Sequence, residues 1–201
     1  GLSEPRPVTT AYTLSLDTPV AMGRAAAEQA QQAHLKLKLG NAPEDVARVA
    51  AVREAAPAAQ LIVDANEGWT IEALTDLMPS LADLGVALIE QPLPADHDGD
   101  LAGFSSLIPI GADESCHDSR ELAALADRYD ILNIKLDKTG GLTEALRRKA
   151  KAEEVGFGIM VGCMVATSLS MAPALLVAQD VSFVDLDGAL LLSRDREPEL
   201  S

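Results

Sequence analysis

Eight short apolar segments alternate with longer stretches rich in Ala, Leu and Glu along most of the chain. The short segments span 9–16, 34–39, 60–65, 86–91, 108–115, 130–136, 157–163 and 182–188. Most stretches between them place apolar residues at helical spacing, as 71–85 does, although the stretch after Gln91 predicts only a short helix with a long loop. Alternating strands and helices predict a parallel α/β architecture. Eight such units favour a closed, TIM-like (β/α)8 barrel.

An open, doubly wound sheet that binds a nucleotide is the competing α/β fold. Its Gly-rich phosphate-binding loop, GxGxxG or GxxxxGK[ST], does not follow the first strand segment. The chain has 201 residues, of which 48% are apolar, so it can bury a sizeable core. Its length is at the low end for a barrel, which typically has ~250 residues. The sequence therefore predicts one barrel domain without a nucleotide site.

The charge balance narrows the range of partners. The 31 acidic residues outnumber the 16 basic ones and give a formal net charge of −15. Nucleic acids and anionic membranes bind clustered positive charge, so we expect neither as a partner. No apolar segment approaches the ~20 residues of a membrane span. Cys116 and Cys163 match no zinc spacing and predict reduced thiols in a cytoplasmic protein.

Ionisable residues stand where the predicted strands end. Lys38, Asp64, Glu90, Asp113 and Lys135 follow one another at intervals of 22 to 26 residues, which is about one strand–helix unit. The carboxyl ends of barrel strands meet at one face, and active sites lie there. The sequence therefore predicts that these five side chains line one barrel mouth.

The alternation of side chains along a strand supports this placement. Lys36 and Lys38 share a strand face opposite Leu35 and Leu37, which can pack against helices. The same parity separates Asn133 and Lys135, and also Asp185 and Asp187, from their apolar neighbours. The charged sets are therefore expected to point into the barrel.

Three carboxylates on adjacent strands repel one another unless a cation neutralises them. A set of oxygen ligands without His or Cys favours Mg²⁺ over zinc. Lysines held near such an ion and near other lysines are expected to have a lowered pKa, so that a neutral amine can act as a base.

Structural explanations compete for each of these residues. A single Asp or Glu at a strand end is often a helix cap or a solvated loop charge. The DxDG sequence at 185–188 is also common in turns. Lys138 competes with Lys135 for a catalytic role, but it follows the strand and is predicted to be a loop residue. The three histidines share no pattern and are predicted to be structural or on the surface: His34, His97 and His117.

Short motifs at these positions resemble those of the enolase superfamily, in its muconate-lactonising subgroup. They are KLK at 36–38, DAN at 64–66, EQP at 90–92, DES at 113–115 and NIKLDKTGG at 133–141. Within the subgroup, the chain is most similar to the dipeptide epimerases of the L-Ala-D/L-Glu type. The segment 133–146, the GCM segment at 162–164 and the DLDG segment at 185–188 point to that group.

The resemblance implies a role for each matching residue. It implies one Mg²⁺ bound by Asp64, Glu90 and Asp113. It implies that Lys38 and Lys135 are acid/base groups on opposite faces of the substrate α-carbon, with Lys36 beside the substrate carboxylate. The remaining residues that it implies contact the dipeptide are Asp185 and Asp187, which hold the α-ammonium group, and Cys163 and Met164.

The implied activity is that of an isomerase: Mg²⁺-dependent epimerisation of dipeptides from peptidoglycan recycling, by 1,1-proton transfer through a metal-stabilised enediolate. Two alternatives stay open. One is another reaction of the superfamily, that of o-succinylbenzoate synthase or of a muconate cycloisomerase. The other is a catalytically silent, truncated barrel that only binds or scaffolds.

The resemblance also implies a domain organisation. Members of the superfamily carry an N-terminal α+β capping domain over the barrel mouth, and this chain is expected to lack it. We expect residues 1–8 to be a linker remnant, 9–192 the catalytic barrel and 193–201 a charged tail. The missing N-terminal region would supply the cap, and the family often forms homo-oligomers, although the sequence leaves the oligomeric state open.

Overall fold

Eight parallel strands form a single sheet in chain order in the computed structural model, which describes residues 4–40, 42–116 and 122–198. The expectation for His117, and those for the extreme ends of the two terminal segments, lie outside these residues. The strands are β1 (Tyr12–Leu14), β2 (His34–Lys38), β3 (Gln60–Asp64), β4 (Val86–Glu90), β5 (Ile110–Ala112), β6 (Ile131–Lys135), β7 (Gly158–Gly162) and β8 (Phe183–Asp185). Each lies within a predicted segment, which confirms the strand assignment.

The connections between the strands are mostly helical. The helices are α1 (Pro19–Glu28), α2 (Asp45–Ala55), α3 (Ile71–Asp83), α4 (Leu122–Leu125), α5 (Leu136–Thr139), α6 (Leu142–Val155) and α7 (Ser168–Val177). Only a short 3-10 helix, Asp98–Leu101, is described between β4 and β5, as the weak pattern after Gln91 predicted. The prediction that Lys138 is a loop residue was wrong, because α5 contains it. This single turn ends at Gly140 (φ 77°) and is too short to show a helical period.

Among the described residues, three hydrogen bonds join the two edges of the sheet. The backbone N–H of Ala11 donates to the carbonyl of Val184 at 2.8 Å. The N–H of Leu186 donates to the Thr10 hydroxyl at 2.8 Å. The N–H of Thr13 donates to Asp187 Oδ2 at 2.6 Å. Because β1 and β8 meet in this way, the sheet forms a nearly closed barrel, as predicted.

The two faces of the sheet build two separate clusters of buried apolar side chains. The larger cluster lies between strands and helices and includes Leu35, Leu37 and Val63. The smaller cluster consists of side chains from the opposite strand face, and its members are Ala11, Ile62, Leu88, Ile131, Met160 and Phe183. Burying a large apolar side chain contributes roughly 1.5–3 kcal/mol. The inner strand face thus combines these apolar side chains with Lys36, Asn133 and the charged strand ends, which confirms the predicted parity.

None of the helices among the described residues combines the length and the apolar character that crossing a bilayer would require.

Candidate active site

The charged strand ends meet at one mouth of the barrel. Strand register sets Lys38 opposite Asp64, and Asp64 opposite Glu90. A cavity of about 420 Å³ opens there. The predicted site residues that line it are Lys36, Lys38, Asp113, Lys135, Cys163, Met164, Asp185 and Asp187. Asp64 and Glu90 are fully buried, and the contacts of Lys36 link them to this cavity.

Lys36 is the centre of the cluster. Its Nζ lies 3.0 Å from Asp64 Oδ2, 2.7 Å from Glu90 Oε2 and 2.8 Å from Asp185 Oδ2. The side chain is only 2% exposed, so these ion pairs are poorly screened by water. Burial opposes the charge, but the three carboxylates outweigh it and raise the pKa of Lys36. Lys36 is therefore a fixed positive charge.

Lys38 stands nearer to solvent on the same strand face. Its Nζ lies 2.7 Å from Asp64 Oδ2 and donates to Asn66 Oδ1 at 2.9 Å. Asn66 has a left-handed backbone (φ 43°), and its N–H donates to Asp64 Oδ1 at 3.0 Å. Asn66 thus orients both a proposed base and a proposed ligand. Asn66 belongs to the DAN motif, but no role was predicted for it.

Asp113 binds two lysines, one at the end of β6 and one in α5, which follows it. Lys135 Nζ lies 2.7 Å from Asp113 Oδ2, and Lys138 Nζ lies 2.6 Å from Asp113 Oδ1. Because α5 follows β6 directly, it turns Lys138 back toward the mouth, and Lys138 lines the cavity. The sequence placed Lys138 outside the site, and its spacing of three from Lys135 was the available signal.

Asn133 and Gly162 shape the floor beside Lys135. Asn133 Nδ2 donates to Glu90 Oε1 at 2.6 Å. Gly162 on β7 is paired with Lys135, and a Cβ there would lie 2.7 Å from Asn133 Oδ1. The absence of a side chain at Gly162 therefore leaves room for the two β6 side chains. Asn133 was predicted to share the face of Lys135, but it was not counted as a site residue.

The pKa values of the three buried carboxylates shift in different directions. Burial and the neighbouring Asp64 raise the pKa of Glu90 to about 7. Burial opposes ionisation of Asp64, but Lys36 and Lys38 lower its pKa to about 2. Lys135 and Lys138 likewise outweigh burial and lower the pKa of Asp113.

The lysine pKa differs in direction from the sequence expectation. Burial would lower the pKa of Lys135, but Asp113 and Glu90 outweigh it, so the pKa is raised. The expected lowering requires that a divalent cation take up the carboxylate charge, and here the lysines themselves neutralise it.

The two aspartates of the DxD sequence have different partners. Asp185 is paired with Lys36, while Asp187 accepts the N–H of Thr13 from β1. Burial and the charge of Asp185 raise the pKa of Asp187. Cys163 and Met164 lie at the rim, where burial raises the pKa of the Cys163 thiol to about 11 and Met164 is 51% exposed.

A hard divalent cation fits the donor set, although ammonium groups hold these carboxylates here. Glu90 Oε2 is buried; it forms an ion pair with Lys36 at 2.7 Å but accepts no hydrogen bond from the described part of the chain. Asp64, Glu90 and Asp113 offer only oxygen donors, which Mg²⁺ prefers. Among the described residues, no three Asp, Glu, His or Cys side chains stand in a ready metal-binding arrangement. A cation would therefore replace ammonium groups at these oxygens.

Two predicted non-site histidines stay away from the cavity lining. His34 begins β2, at the opposite end of the strand from Lys38, and its Nδ1 is buried without a hydrogen bond to any described residue. His97 precedes the 3-10 helix and is exposed. Neither contributes to the mouth.

The sequence matches a protein-family model and several curated proteins. Residues 21–191 match the family model described as enolase C-terminal domain-like. The chain is 50% identical over 187 residues to N-acetyl-D-glutamate racemase of a Pseudoalteromonas species, covering 93% of the chain and 59% of that protein. It is 49% identical over 202 residues to L-Ala-D/L-Glu epimerase of Escherichia coli K12, covering 100% and 63%. The chain thus spans about three fifths of the length of these curated relatives.

Solved structures agree in fold over nearly the whole chain. An enolase family member from Agrobacterium tumefaciens, described as homologous to dipeptide epimerases and holding sodium and L-Ala-L-Glu, has a TM-score of 0.96 and 55% identity, covering 99% of this chain and 61% of that one. A dipeptide epimerase from Cytophaga hutchinsonii, in complex with Mg and D-Ala-L-Val, has a TM-score of 0.90 and 29% identity, covering 96% and 56%.

Proposed function

The chain belongs to the enolase C-terminal domain-like family, and from that premise we propose that it is the catalytic barrel of a Mg²⁺-dependent dipeptide epimerase of the L-Ala-D/L-Glu type. The observation that carries this proposal is the placement of Lys38 and Lys135 on β2 and β6. These strands are four apart in an eight-stranded barrel, so the two ammonium groups face the cavity from opposite sides. Inverting a carbon centre needs one group to remove a proton and another to return one from the opposite face.

We assign the metal site to Asp64, Glu90 and Asp113. When bound there, Mg²⁺ would act as a Lewis acid that stabilises the negative charge developing on the substrate carboxylate. Lys36, held positive by three carboxylates, adds fixed charge beside the same group. The apolar interior below the mouth keeps these charges in a medium of low dielectric constant, where they act more strongly than in water.

We assign recognition of the α-ammonium group to Asp185 and Asp187, with Cys163 and Met164 along the rim. Both aspartates line the cavity. The N–H of Thr13 already fixes the carboxylate of Asp187, so the Asp187 side chain loses little conformational entropy when it binds an ammonium group.

The proposed domain boundaries rest on the fold and on the relatives' length. We propose residues 9–192 as the barrel unit, with 1–8 as a linker and 193–201 as a tail. A further domain, of the kind that the longer relatives have room for, would act as the cap of the mouth. Exposed apolar side chains near the mouth, including Met164, Val165 and Leu191, support such a partner.

A second candidate is racemisation of N-acylated glutamate, which the 50% identity to N-acetyl-D-glutamate racemase favours. The two candidates differ at the nitrogen, because an N-acyl group carries no positive charge. Asp185 and Asp187 would then contribute through hydrogen bonds or through packing, without an ion pair to the substrate.

The test is Mg²⁺-dependent exchange of the α-proton in D₂O, followed by NMR. L-Ala-L-Glu should gain deuterium at the Glu α-carbon, and EDTA should abolish the exchange. N-acetyl-D-glutamate is assayed in parallel, and faster exchange with it would replace the dipeptide proposal by the second candidate. If neither substrate exchanges its α-proton, in a protein that binds Mg²⁺ and carries the N-terminal region of its relatives, both candidate functions are contradicted.

A further inference from the structure

A buried amide side chain links the two strand ends that carry Glu90 and Asp113. Gln91 directly follows Glu90 and is fully buried. Its backbone is left-handed (φ 38°), a conformation that costs free energy for a residue with a side chain and persists only where its surroundings fix it. Its N–H donates to the carbonyl of Gly111 on β5 at 2.8 Å. The local backbone is thus held across to the strand that leads to Asp113.

The amide oxygen of Gln91 holds the turn that begins at Asp113. Gln91 Oε1 accepts the backbone N–H of Asp113 at 2.9 Å and that of Ser115 at 3.1 Å. Asp113 lies beyond the last paired residue of β5, since the strand pairs with β6 only through Gly111 and Ala112. The sheet ladder therefore does not fix the backbone of Asp113, and Gln91 supplies an acceptor for it.

The other end of the amide fixes its orientation. Gln91 Nε2 donates to the carbonyl of Leu93 at 2.9 Å and to the hydroxyl of Ser115 at 2.7 Å. It also lies 3.1 Å from the hydroxyl of Tyr129, which donates to Asp98 Oδ2. The Leu93 carbonyl can only accept a hydrogen bond, and the Tyr129 hydroxyl has already donated its proton to Asp98. The amide nitrogen of Gln91, which donates, must therefore face both groups. Oε1 is then directed at the two N–H groups.

We propose that Gln91 is a positioning residue that sets the spacing of Glu90 and Asp113 for a shared cation. The inference rests on the proposed function, in which both carboxylates ligate the same ion. Gln91 touches neither substrate nor ion in this account and acts through the Asp113 backbone. Partners that orient ligands in this way affect metal affinity by about 10–100-fold.

The experiment measures Mn²⁺ affinity by the electron paramagnetic resonance signal of the free ion, with the full chain. Gln91→Met keeps the side-chain length but offers no oxygen, and we expect at least a tenfold increase in the Kd for Mn²⁺. Tyr129→Phe is the matched control: it disturbs the same buried network but leaves both Oε1 hydrogen bonds, and its Kd should stay within about threefold of the parent. Gln91→Glu restores an oxygen toward both N–H groups and should bind Mn²⁺ more tightly than Gln91→Met.

Thermal unfolding of each variant separates positioning from stability. A Gln91→Met Kd within twofold of the parent would overturn the inference, and so would equal weakening by Gln91→Met and Tyr129→Phe. If Gln91→Met does not fold, Gln91→Asn takes its place, since its amide is one methylene too short to reach both N–H groups. A parent chain that binds no Mn²⁺ would instead overturn the metal site itself, and with it this inference.

Discussion

Replacing Gly162 by Ala tests whether the position of Lys135 controls proton transfer at one face of the substrate α-carbon in the proposed reaction. Gly162 has no left-handed backbone, so an alanine there changes contacts only. The new Cβ would lie 2.7 Å from Asn133 Oδ1, 2.9 Å from Asn133 Nδ2 and 3.1 Å from Lys135 Cε. Comfortable contacts to carbon lie at about 3.5–4.0 Å. Asn133 and Lys135 must therefore move, and both lie on the mouth-facing side of β6.

The magnitude follows from the size of that displacement. Overpacking a buried position costs about 1–3 kcal/mol of unfolding free energy. A catalytic group misplaced by about 1 Å can lose about 100-fold in rate. A shift of a few tenths of an ångström at Lys135 should therefore slow proton transfer by roughly tenfold, which corresponds to about 1.4 kcal/mol in the activation barrier. Lys38, on the opposite side of the cavity, should be affected much less.

The assay compares the initial loss of the α-proton from L-Ala-L-Glu and from L-Ala-D-Glu in D₂O. If Lys38 and Lys135 serve opposite faces, the ratio of the two rates should change by roughly tenfold in Gly162→Ala. Gly111→Ala is the control, because its Cβ would meet only the tip of Leu88 at 3.3 Å among near contacts. An equal loss for both diastereomers, or a loss matched by Gly111→Ala, would refute the reasoning.

Three further outcomes are expected. Mg²⁺ at 100 times its Kd should stabilise the folded chain by about 2.7 kcal/mol and raise Tm by roughly 5–10 °C in calorimetry, an effect that EDTA should reverse. Asp187→Asn, which keeps an acceptor for the N–H of Thr13, should raise the KM for a dipeptide with little change in urea-induced unfolding, whereas Asp187→Ala should also lose about 1–2 kcal/mol of stability. Burial lowers the pKa of His34 from 6.5, so the unfolded chain takes up the proton first as pH falls. The free energy of unfolding should therefore decline below about pH 6.5. Urea titrations at several pH values should show a smaller decline in His34→Gln.

The sequence predicted the strand ends because two simple periods coincide there. The 2-residue alternation put Asp64 on the face of Ile62, and the repeat of about 25 residues put Glu90 beside it, as the register confirms. Such periodic patterns can be recognised in a single sequence. They were sufficient to predict the barrel and to bring these charged strand ends together at one mouth.

The features that the sequence did not predict depend on contacts without a period. Lys138 reaches Asp113 only because a four-residue helix, ended by Gly140, turns the chain back. In the sequence, Gln91 is only the second residue of the EQP motif. Its contact with the backbone of Asp113 forms only when the turn after β5 folds against it. The pKa of Lys135 rises because Asp113 and Glu90 outweigh its burial, which no spacing rule reports.

The pairing of the lysines ties the proposed metal site to the proposed bases. Lys38 is bound to Asp64 Oδ2, and Lys135 is bound to Asp113 Oδ2, so each proposed base is held by a proposed ligand on its own side of the barrel. A cation ligated by those oxygens competes directly with both ammonium groups. Because Asp113 favours the charged form of Lys135, loss of that contact on binding of the cation would move Lys135 toward the neutral form that a base requires. Lys36, with Asp185 as an additional partner on β8, would keep its positive charge for the substrate carboxylate.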